Sequence, residues 1–250
     1  PELLSPIQHS DETSYPDTAA LNARDLLVKS RVRLINAIRG MVKSAGRRVP
    51  TMGADAFASR VGPLLPEELR LSLLPLVQTI AHLTLQIKAY DRDLETIAES
   101  RYPHTKRLRQ VHGVGPVTAL RFVLTIGDPR RFRKSREVGA YLGLTPGKRQ
   151  SGESDKQMRI SKAGSMRLRT LLVQCAQYAL GRYGPDSDLK RWGTVLASRG
   201  GKNGKKRAIV ATARKLAVLL HRLWITGEKY QPLFNAAHAK ATFQTPVLGG

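Results

Sequence analysis

One segment of the chain repeats an apolar side chain at alternating intervals of four and three residues, and this repeat restricts the fold more than any other feature. A period of about 3.5 residues keeps one seam of an α-helix facing a partner helix, as in a coiled coil. The clean stretch from Leu76 to Ile97 corresponds to roughly 30 Å of helix, and Pro75 interrupts the pattern just before it. The repeating positions are Leu69, Leu73, Leu76, Ile80, Leu83, Ile87, Tyr90, Leu94 and Ile97.

A second helix, predicted over residues 17–46, is one candidate partner for this seam. Asp17 is available as its N-cap and Gly46 as its C-terminal stop. The seam can pack against this helix in an antiparallel hairpin, or against a second copy of the chain in a dimer. Both arrangements bury the seam equally well and can occur together, so both alternatives stay open. The apolar side chains predicted to share one face of the second helix are Leu27, Leu34, Ile38 and Met41.

Positive charge is confined to the second part of the chain. The 250 residues include 42 Lys or Arg and 19 Asp or Glu, which gives a formal net charge of +23. Residues 1–100 carry 12 basic and 12 acidic side chains, whereas residues 101–250 carry 30 and 7. This division predicts a neutral region for packing or assembly and a basic region that faces a polyanion, with nucleic acid as the first expectation. The alternative is a generally basic protein whose cations are only solvated. We place the boundary near residues 101–104.

Several classes of protein do not fit the composition. A lone cysteine, Cys175, excludes an internal disulfide framework, a cysteine-rich zinc site and a CxxC redox pair. Its place on an apolar helix face predicts a packed core thiol. No stretch approaches the ~18 apolar residues of a membrane span, and no secretory leader opens the chain. We therefore expect a cytoplasmic, nucleoid-associated protein that does not contact membranes.

The basic region opens with a short basic helix, a Gly-Val-Gly-Pro turn and an apolar helix, which is the order of a helix-hairpin-helix. Gly113 and Gly115 permit positive φ and close backbone approach, and Pro116 suits the first turn of a helix. The free amides at that helix start form a seat for one phosphate. An ordinary tight turn between two helices is the alternative, and the flanking cations favour a nucleic-acid contact. Those cations are Lys106, Arg107, Arg109 and Arg121.

The segment 145–165 is rich in glycine, proline and serine and lacks apolar periodicity, so it is predicted to be a loop. Ser151 lies in this segment with Lys148 and Arg149 close by. A serine hydroxyl attacks phosphorus only if a base accepts its proton and cations stabilise the phosphoryl oxygens, and the basic neighbours meet the second need. From the residues alone, a plain Ser-Gly turn is the stronger alternative.

Two amphipathic helices with basic first turns follow. Arg167 and Arg169 open the first, and Lys205 and Lys206 belong to a basic cluster at the start of the second. Positive charge at a helix N-terminus opposes the helix dipole, so an anionic partner relieves an unfavourable arrangement. A solvated polar face is the alternative for the second cluster. The tail of residues 233–250 lacks periodicity and is predicted to be loosely ordered.

Four spaced blocks of the sequence together resemble the transposases of the insertion-sequence 110 family, over about residues 20–232. They are VRLINAIRG, VHGVGPVTALRFVLTIGDPRRF, AYLGLTPGKRQSGESDKQMRISKAGSMRLRTLLVQCA and KKRAIVATARKLAVLLHRLW. The resemblance implies a two-part recombinase, with an N-terminal RuvC-like domain bearing four metal-binding carboxylates, a coiled-coil stalk and a C-terminal domain bearing a catalytic serine. It also implies dimers or tetramers assembled on DNA with a structured guide RNA, the bridge RNA of the element.

By that resemblance, Ser151 is the nucleophile that attacks a DNA phosphodiester and forms a phosphoserine, with Ser161 and Ser165 as fallback candidates. The cations implied around the scissile phosphate are Arg149, Lys156, Arg159 and Lys162. The carboxylate domain is expected upstream of this chain, because the available acids near its start do not reproduce a RuvC-like set. We therefore assign no metal ligand or cofactor to these residues, and Mg²⁺ is implied only for the RuvC-like domain.

The expected fold class is all-α, with a long helical hairpin or coiled-coil stalk followed by a helical transposase domain that contains a helix-hairpin-helix. The expected layout is a linker or domain remnant over residues 1–16, the coiled-coil segment over 17–100, the basic domain over 101–232 and the tail. Three functions fit this layout. They are the serine-bearing part of a DNA recombinase, a non-catalytic DNA-binding module assembled through its coiled coil, and an inactive, truncated transposase remnant.

Overall fold

The computed structural model describes residues 12–151 and 154–235; for residues 12, 148–151 and 154–157 it describes the backbone alone. Helices dominate the described ranges, which confirms the predicted all-α class. The chain divides into two compact units with the boundary between Ile97 and Ala98, a few residues before the boundary predicted from charge. The assignment of functions to the predicted segments stays a prediction.

The first unit is built from three helices. The helix predicted over residues 17–46 begins two residues earlier than expected, with Ser14 rather than Asp17 at its N-cap position. Asp17 instead lies in the first turn, where its negative charge suits the helix dipole, and it is only 2% exposed. The helices are α1 (Tyr15–Ser44), α2 (Ala54–Val61) and α3 (Glu67–Arg101), with 3₁₀ turns at Glu12–Ser14 and Gly62–Leu64.

The apolar seam of α3 is buried as its period predicts. Four alternate positions are at most 3% exposed and the other five are partly buried. The matching face of α1 is formed by Ile35, Ile38 and Val42, which cluster with side chains of α2 and α3. Met41 was predicted on this face and is instead 40% exposed, because the buried face runs through its neighbour Val42. The fully buried seam positions are Leu73, Ile80, Ile87 and Leu94.

Polar contacts fix the direction of α1 relative to α3. Arg24 near the start of α1 forms an ion pair with Asp91 near the end of α3, with 2.8 Å between Nε and Oδ1. Further along α1, the buried Arg31 donates from Nη1 to Oγ1 of Thr84 at 3.2 Å, and to Oδ1 of Asp55 in α2. As the α1 residue number rises, the α3 partner number falls, so the two helices form an antiparallel hairpin within one chain. The hairpin alternative therefore occurs within one chain, and assembly of copies through the stalk stays a prediction.

The second unit packs helices around one apolar core. Side chains of α5, α7 and α9 supply most of this core, and the faces predicted for the last two of these helices are the ones that are buried. The helices are α4 (His104–Leu108), α5 (Pro116–Ile126), α6 (Glu137–Tyr141), α7 (Met166–Leu180), α8 (Asp188–Ser198) and α9 (Gly204–Thr226), with a 3₁₀ turn at Pro129–Arg131.

The segment predicted as a loop contains a β-hairpin. Strands β1 (Pro146–Ser151) and β2 (Ser154–Ile160) pair antiparallel, with Ser151 opposite Ser154 at the far end and an irregular register near Pro146. Most residues of both strands are polar, so a sustained alternation of apolar and polar residues, which signals a half-buried strand, is missing. The loop prediction was wrong because the pairing uses the backbone, which apolar periodicity does not report.

The first residues of the predicted tail contact α8. The amide of Asp188 donates to the carbonyl of Pro232 at 2.7 Å, and the amide of Asn235 donates to the Asp188 carboxylate at 2.7 Å. The predicted loose order of the tail therefore does not begin at residue 233. Most of the tail, residues 236–250, and most of the predicted N-terminal linker lie outside the described residues.

Candidate nucleic-acid interface

The turn between α4 and α5 has only part of the backbone geometry that its sequence predicts. Gly113 adopts φ +88° and Pro116 is the first residue of α5, but Gly115 is extended at the N-cap position with φ −85° and a Cβ placed there would meet no close neighbour, so it does not use the freedom of glycine. The first amides of a helix have no intrahelical acceptor, so those that follow Pro116 are free of the helix ladder. The turn is held by its two valines: Val111 and Val114 are at most 5% exposed in the core, and their backbones bond at 3.0 Å.

Gly113 is required by packing as well as by its backbone angle. A Cβ atom at this position would lie 2.7 Å from Cδ1 of Tyr178 in α7 and 3.5 Å from the carbonyl oxygen of Cys175. The turn is thus fitted closely onto α7, and the two elements together border an open pocket of about 550 Å³. Residues 111–115 of the turn, together with Gln174 and Tyr178 of α7, line this pocket.

The cations around the turn differ in their availability. Lys106 is exposed on α4. Arg109 is partly buried and forms an ion pair with Glu99, with 3.2 Å between Nη1 and Oε1. Arg121 is only 4% exposed, because α5 is buried on nearly all sides. It therefore belongs to the interior of the unit and not to a surface that a phosphate can reach.

Cys175 is a core thiol, as predicted. It is 5% exposed, and its Sγ lies 3.8 Å from Oγ1 of Thr118. Burial raises the pKa of this thiol, and the contact with Thr118 opposes the shift only in part. A neutral thiol in this environment is a poor nucleophile.

The base of the β-hairpin is tightly specified. Gly143 and Gly164 both have positive φ, at +65° and +69°. A Cβ at Gly143 would lie 2.3 Å from the backbone nitrogen of Ala163, and one at Gly164 would lie 2.2 Å from the carbonyl oxygen of Tyr141. Only glycine allows these two backbone segments to pass so closely.

Backbone bonds cross the same base. The amide of Ser161 donates to the carbonyl of Thr145 at 2.9 Å, and the amide of Lys162 donates to the carbonyl of Gly143 at 3.1 Å. Lys162 adopts φ +58°, which is uncommon for a residue with a side chain, and this bond holds it there. The segment that leads into β1 and the segment that follows β2 are therefore joined by two backbone hydrogen bonds at the hairpin base.

Arg169 completes this base and does not lie on the surface. It is 9% exposed, and its Nη1 donates to the carbonyl oxygens of Leu142 at 2.9 Å and Ala163 at 2.8 Å. Its charge was predicted to contact nucleic acid, but its guanidinium is used to tie together the two backbone segments under the hairpin. The sequence carried a signal for this role, since Arg169 precedes the buried Leu172 and Ala176 by three and seven residues on the inner face of α7.

The serines of the region have different positions. Ser165, a fallback candidate for the nucleophile, caps α7, because its Oγ accepts from the amide of Leu168 at 3.3 Å. Ser161 is exposed next to the hairpin base. Ser151 is the last residue of β1, at the end of the hairpin away from that base, and its side chain lies outside the described residues.

The other predicted cations are spread over the unit. Arg159 in β2, Lys162 and Arg167 are exposed near the hairpin base, and Lys205 and Lys206 are exposed in the first turn of α9. The side chains of Lys148, Arg149 and Lys156 lie outside the described residues, although their backbones belong to the two strands.

The described ranges offer no metal site. No three His, Cys, Asp or Glu side chains within residues 12–151 and 154–235 lie together in a way that can hold an ion. In the same ranges, no helix has both the length and the apolar character needed to cross a bilayer.

Comparison with known proteins identifies the class to which this basic, all-α chain belongs. A sequence profile described as the transposase IS116/IS110/IS902 family matches residues 105–190, which run from α4 into α8. The transposase for insertion sequence element IS1111A of Coxiella burnetii is 33% identical over 222 residues, covering 85% of this chain and 59% of that protein. A probable family 20 transposase of Pseudomonas aeruginosa is 30% identical over 242 residues, covering 91% of this chain and 68% of that protein.

The chain belongs to the IS116/IS110/IS902 family of transposases. It is also similar to the transposase for insertion sequence element IS1328 of Yersinia enterocolitica, at 31% identity over 71% of this chain. The chain spans 59% of the length of the IS1111A transposase and 55% of the length of the IS1328 transposase.

Proposed function

We propose that this chain is the serine-bearing portion of a DNA transposase, and that Ser151 is the nucleophile of strand exchange. The observation that carries the proposal is the hairpin itself. Its base is locked by two positive-φ glycines and Arg169, and Ser151 ends the first strand at the opposite end. A reactive group on a short projection from a rigid base can enter a substrate groove while its position stays defined.

The proposed step conserves atoms and charge. The Oγ of Ser151 forms a bond to phosphorus as its proton passes to a general base, and the bond between phosphorus and one bridging sugar oxygen breaks. That oxygen leaves as a free hydroxyl after taking up a proton. The product is a covalent phosphoserine, and attack on it by the hydroxyl of a second DNA end releases Ser151 and joins the new strand.

Cations around the hairpin are proposed to stabilise the negative phosphoryl oxygens of this step. Arg159 and Lys162 support this role, since both are exposed on or beside the hairpin. Lys148, Arg149 and Lys156 join the proposal through their places in the two strands. Arg169 is a positioning residue instead, because its hydrogen bonds go to the backbone under the hairpin.

The turn between α4 and α5 is proposed to hold the DNA backbone as a helix-hairpin-helix. The positive φ of Gly113 and the extended Gly115 present the amides of α5 to an anion, and this geometry contacts phosphate without reading bases. Lys106 adds an exposed charge beside the turn. Exposed Lys205 and Lys206 in the first turn of α9, and Arg167 in α7, are proposed as further backbone contacts.

The proposed partners are DNA, a structured guide RNA and further copies of the chain, in a cytoplasmic, nucleoid-associated complex. The all-helical stalk was predicted to join copies through its apolar seam. Four seam positions are buried within one chain and five are only partly buried, so a second copy is still proposed to contact this stalk. The Mg²⁺ implied by the resemblance is assigned to no residue described here, and the proposed step makes no use of it.

A denaturing assay for a covalent protein–DNA adduct tests the nucleophile. End-labelled DNA of the element and its guide RNA are incubated with this chain and, in parallel, with a full-length transposase that contains it. We expect a labelled adduct that is lost in Ser151→Ala. Ser154→Ala is the matched control, since Ser154 faces Ser151 across the hairpin and the substitution removes the same hydroxyl.

Each outcome decides between the three functions. An adduct that persists in Ser151→Ala refutes the assignment of the nucleophile. Reversible DNA binding without an adduct in either protein favours the non-catalytic DNA-binding module. Absence of both binding and adduct favours the inactive remnant.

A further inference from the structure

The densest run of positive charge in the described chain lies outside the turn and the hairpin. Five cations fall within the seven residues 130–136, between the acids Asp128 and Glu137. All five are exposed, and none forms an ion pair with another described side chain. The Asp128 carboxylate accepts instead from the backbone amide of Arg130 at 2.9 Å. We call these cations the ridge: Arg130, Arg131, Arg133, Lys134 and Arg136.

A buried histidine of α9 holds this segment at two points. His221 is completely buried; its Nε2 lies 2.9 Å from the carbonyl oxygen of Pro129, and its Nδ1 lies 3.0 Å from Oγ of Ser135. A carbonyl oxygen can only accept, so Nε2 carries a proton and donates it. The two bonds tie residues 129 and 135, on either side of the ridge centre, to one rigid ring.

Aromatic packing fixes the centre of the ridge. The ring of Phe132 meets His221 edge-on at 5.3 Å and Tyr141 of α6 at 5.4 Å. The guanidinium of Arg131 lies over the Tyr141 ring at 4.8 Å. A segment with so many like charges repels itself, and such sequences are commonly left mobile. Here it is held in one conformation, so little ordering entropy is lost when a ligand binds.

A further cation extends the ridge from α9. A Cβ atom at Gly139 of α6 would lie 2.9 Å from Cγ of Arg214, so the Arg214 stem lies directly against the backbone of α6. Arg214 is exposed and forms no ion pair with the described side chains. The segment 130–136 and helix α9 therefore both contribute to the cationic surface, so a local fluctuation of that segment leaves the α9 part in place.

We propose that the ridge, with Arg214, binds the sugar-phosphate backbone of duplex DNA. The inference rests on the proposed function, in which the chain acts on DNA. The nearby rings of Phe132 and Tyr141 are engaged in packing and Arg131, so the ridge presents no free aromatic surface on which unpaired bases stack. Its exposed side chains carry charge for phosphates, and contacts to phosphates position a duplex without reading its sequence.

The test is the salt dependence of duplex binding, measured by fluorescence anisotropy with the wild-type chain and two charge-matched triple variants. One variant removes ridge cations: Arg130→Gln, Arg133→Gln and Lys134→Gln. The other removes the same charge from exposed positions of the first unit: Lys29→Gln, Arg33→Gln and Arg47→Gln. Arg131 is left in place because its contact with Tyr141 supports the fold of the segment.

Each phosphate contact contributes about 0.9 to the slope of the logarithm of the binding constant against the logarithm of salt concentration. We expect the ridge variant to lower the magnitude of this slope by about 2–3, and equally for duplexes of unrelated sequence. The first-unit variant should leave the slope unchanged within error. Equal slopes for both variants, or no change in either, would overturn the proposal.

Two further measurements distinguish DNA binding by the ridge from RNA binding, and failure of the ridge inference from failure of the proposed function. A ridge variant that loses affinity for double-stranded RNA while keeping its DNA slope would show that the ridge serves an RNA, and the DNA assignment would be wrong. A wild-type chain that binds no duplex DNA would refute the proposed function together with this inference. If the wild-type chain binds duplex DNA and the ridge variant shows the same salt slope as the wild-type, the ridge inference is wrong and the proposed function is unaffected.

Discussion

Gly143→Ala tests whether the hairpin base is the rigid support that the proposed chemistry needs. The added Cβ would lie 2.3 Å from the nitrogen and 2.4 Å from the oxygen of Ala163, both backbone atoms that no side-chain rotation can move. At φ +65° the alanine also adopts a left-handed conformation, which costs about 1–2 kcal/mol. Overpacking a closed site costs about 1–3 kcal/mol more, so the total destabilisation is roughly 2–5 kcal/mol.

Gly227→Ala is the matched control for the backbone strain alone. Gly227 also has a positive φ, +74°, and its nearest neighbour at 3.4 Å is the flexible guanidinium of Arg107. About 1 kcal/mol shifts Tm by roughly 2–4 °C in a chain of this size. We therefore expect Gly227→Ala to lower Tm by about 2–8 °C and Gly143→Ala by about 4–20 °C. The difference in Tm between the two variants measures the energetic cost of the close backbone contact at Gly143.

Hydrogen exchange separates unfolding of the whole unit from opening of the hairpin base. In Gly143→Ala, the amides of Ser161 and Lys162 should lose protection, because their acceptors Thr145 and Gly143 lie in the segment just before β1 that the clash displaces. In Gly227→Ala both amides should keep it. Equal Tm values for the two variants, combined with unchanged exchange at Ser161 and Lys162, would refute the conclusion that the base is closed and rigid.

Two other predictions follow from the same unit. Gly113→Ala should weaken duplex DNA affinity while far-UV circular dichroism stays unchanged, because the positive φ and the 2.7 Å approach to Tyr178 displace the turn and not the helices. The same substitution in a Tyr178→Ala background removes the contact and leaves only the strain, and wild-type affinity in both backgrounds would remove the turn from the proposed interface. Cys175 should react with iodoacetamide far more slowly in the native chain than in denaturant at pH 8.5, since burial raises the pKa of its thiol. Equal labelling rates in the native and denatured chain would contradict the burial of this thiol. The raised pKa of Cys175 contributes to the free energy of unfolding below the unfolded pKa of about 8.5, and this contribution declines as pH rises above that value, because the unfolded thiol ionises first.

The helices were predictable because apolar periodicity determines which face of a helix is buried. The seam of α3 and the inner faces of α7 and α9 follow directly from it. The partner of the seam did not follow, since a hairpin and a dimer bury the same apolar atoms. Polar contacts made the difference, namely the pairs Arg24–Asp91 and Arg31–Thr84, and an apolar period contains no information about them.

The candidate site was predictable only where glycine and proline residues indicate the backbone geometry. The turn at Gly113 carries such a signal, whereas the hairpin does not, because its polar strands pair through backbone groups that every sequence possesses. Charge counting has a related limit. It treated Arg169 as surface charge although its guanidinium bonds to backbone carbonyls inside the unit, and it gave no weight to the ridge as a separate surface.

The arginines of the second unit differ in how their positive charge is compensated. Arg121 and Arg169 are buried within the second unit, and Arg169 satisfies two backbone acceptors there, so its charge is compensated by carbonyl dipoles and not by a ligand. The ridge cations are exposed, and their mutual repulsion is opposed by the His221 bonds and the Phe132 packing that hold the segment down. An anionic backbone placed on the ridge would cancel the repulsion without rearranging its support. Duplex DNA should therefore stabilise the second unit against heat, and the stabilisation should shrink when salt screens the phosphates.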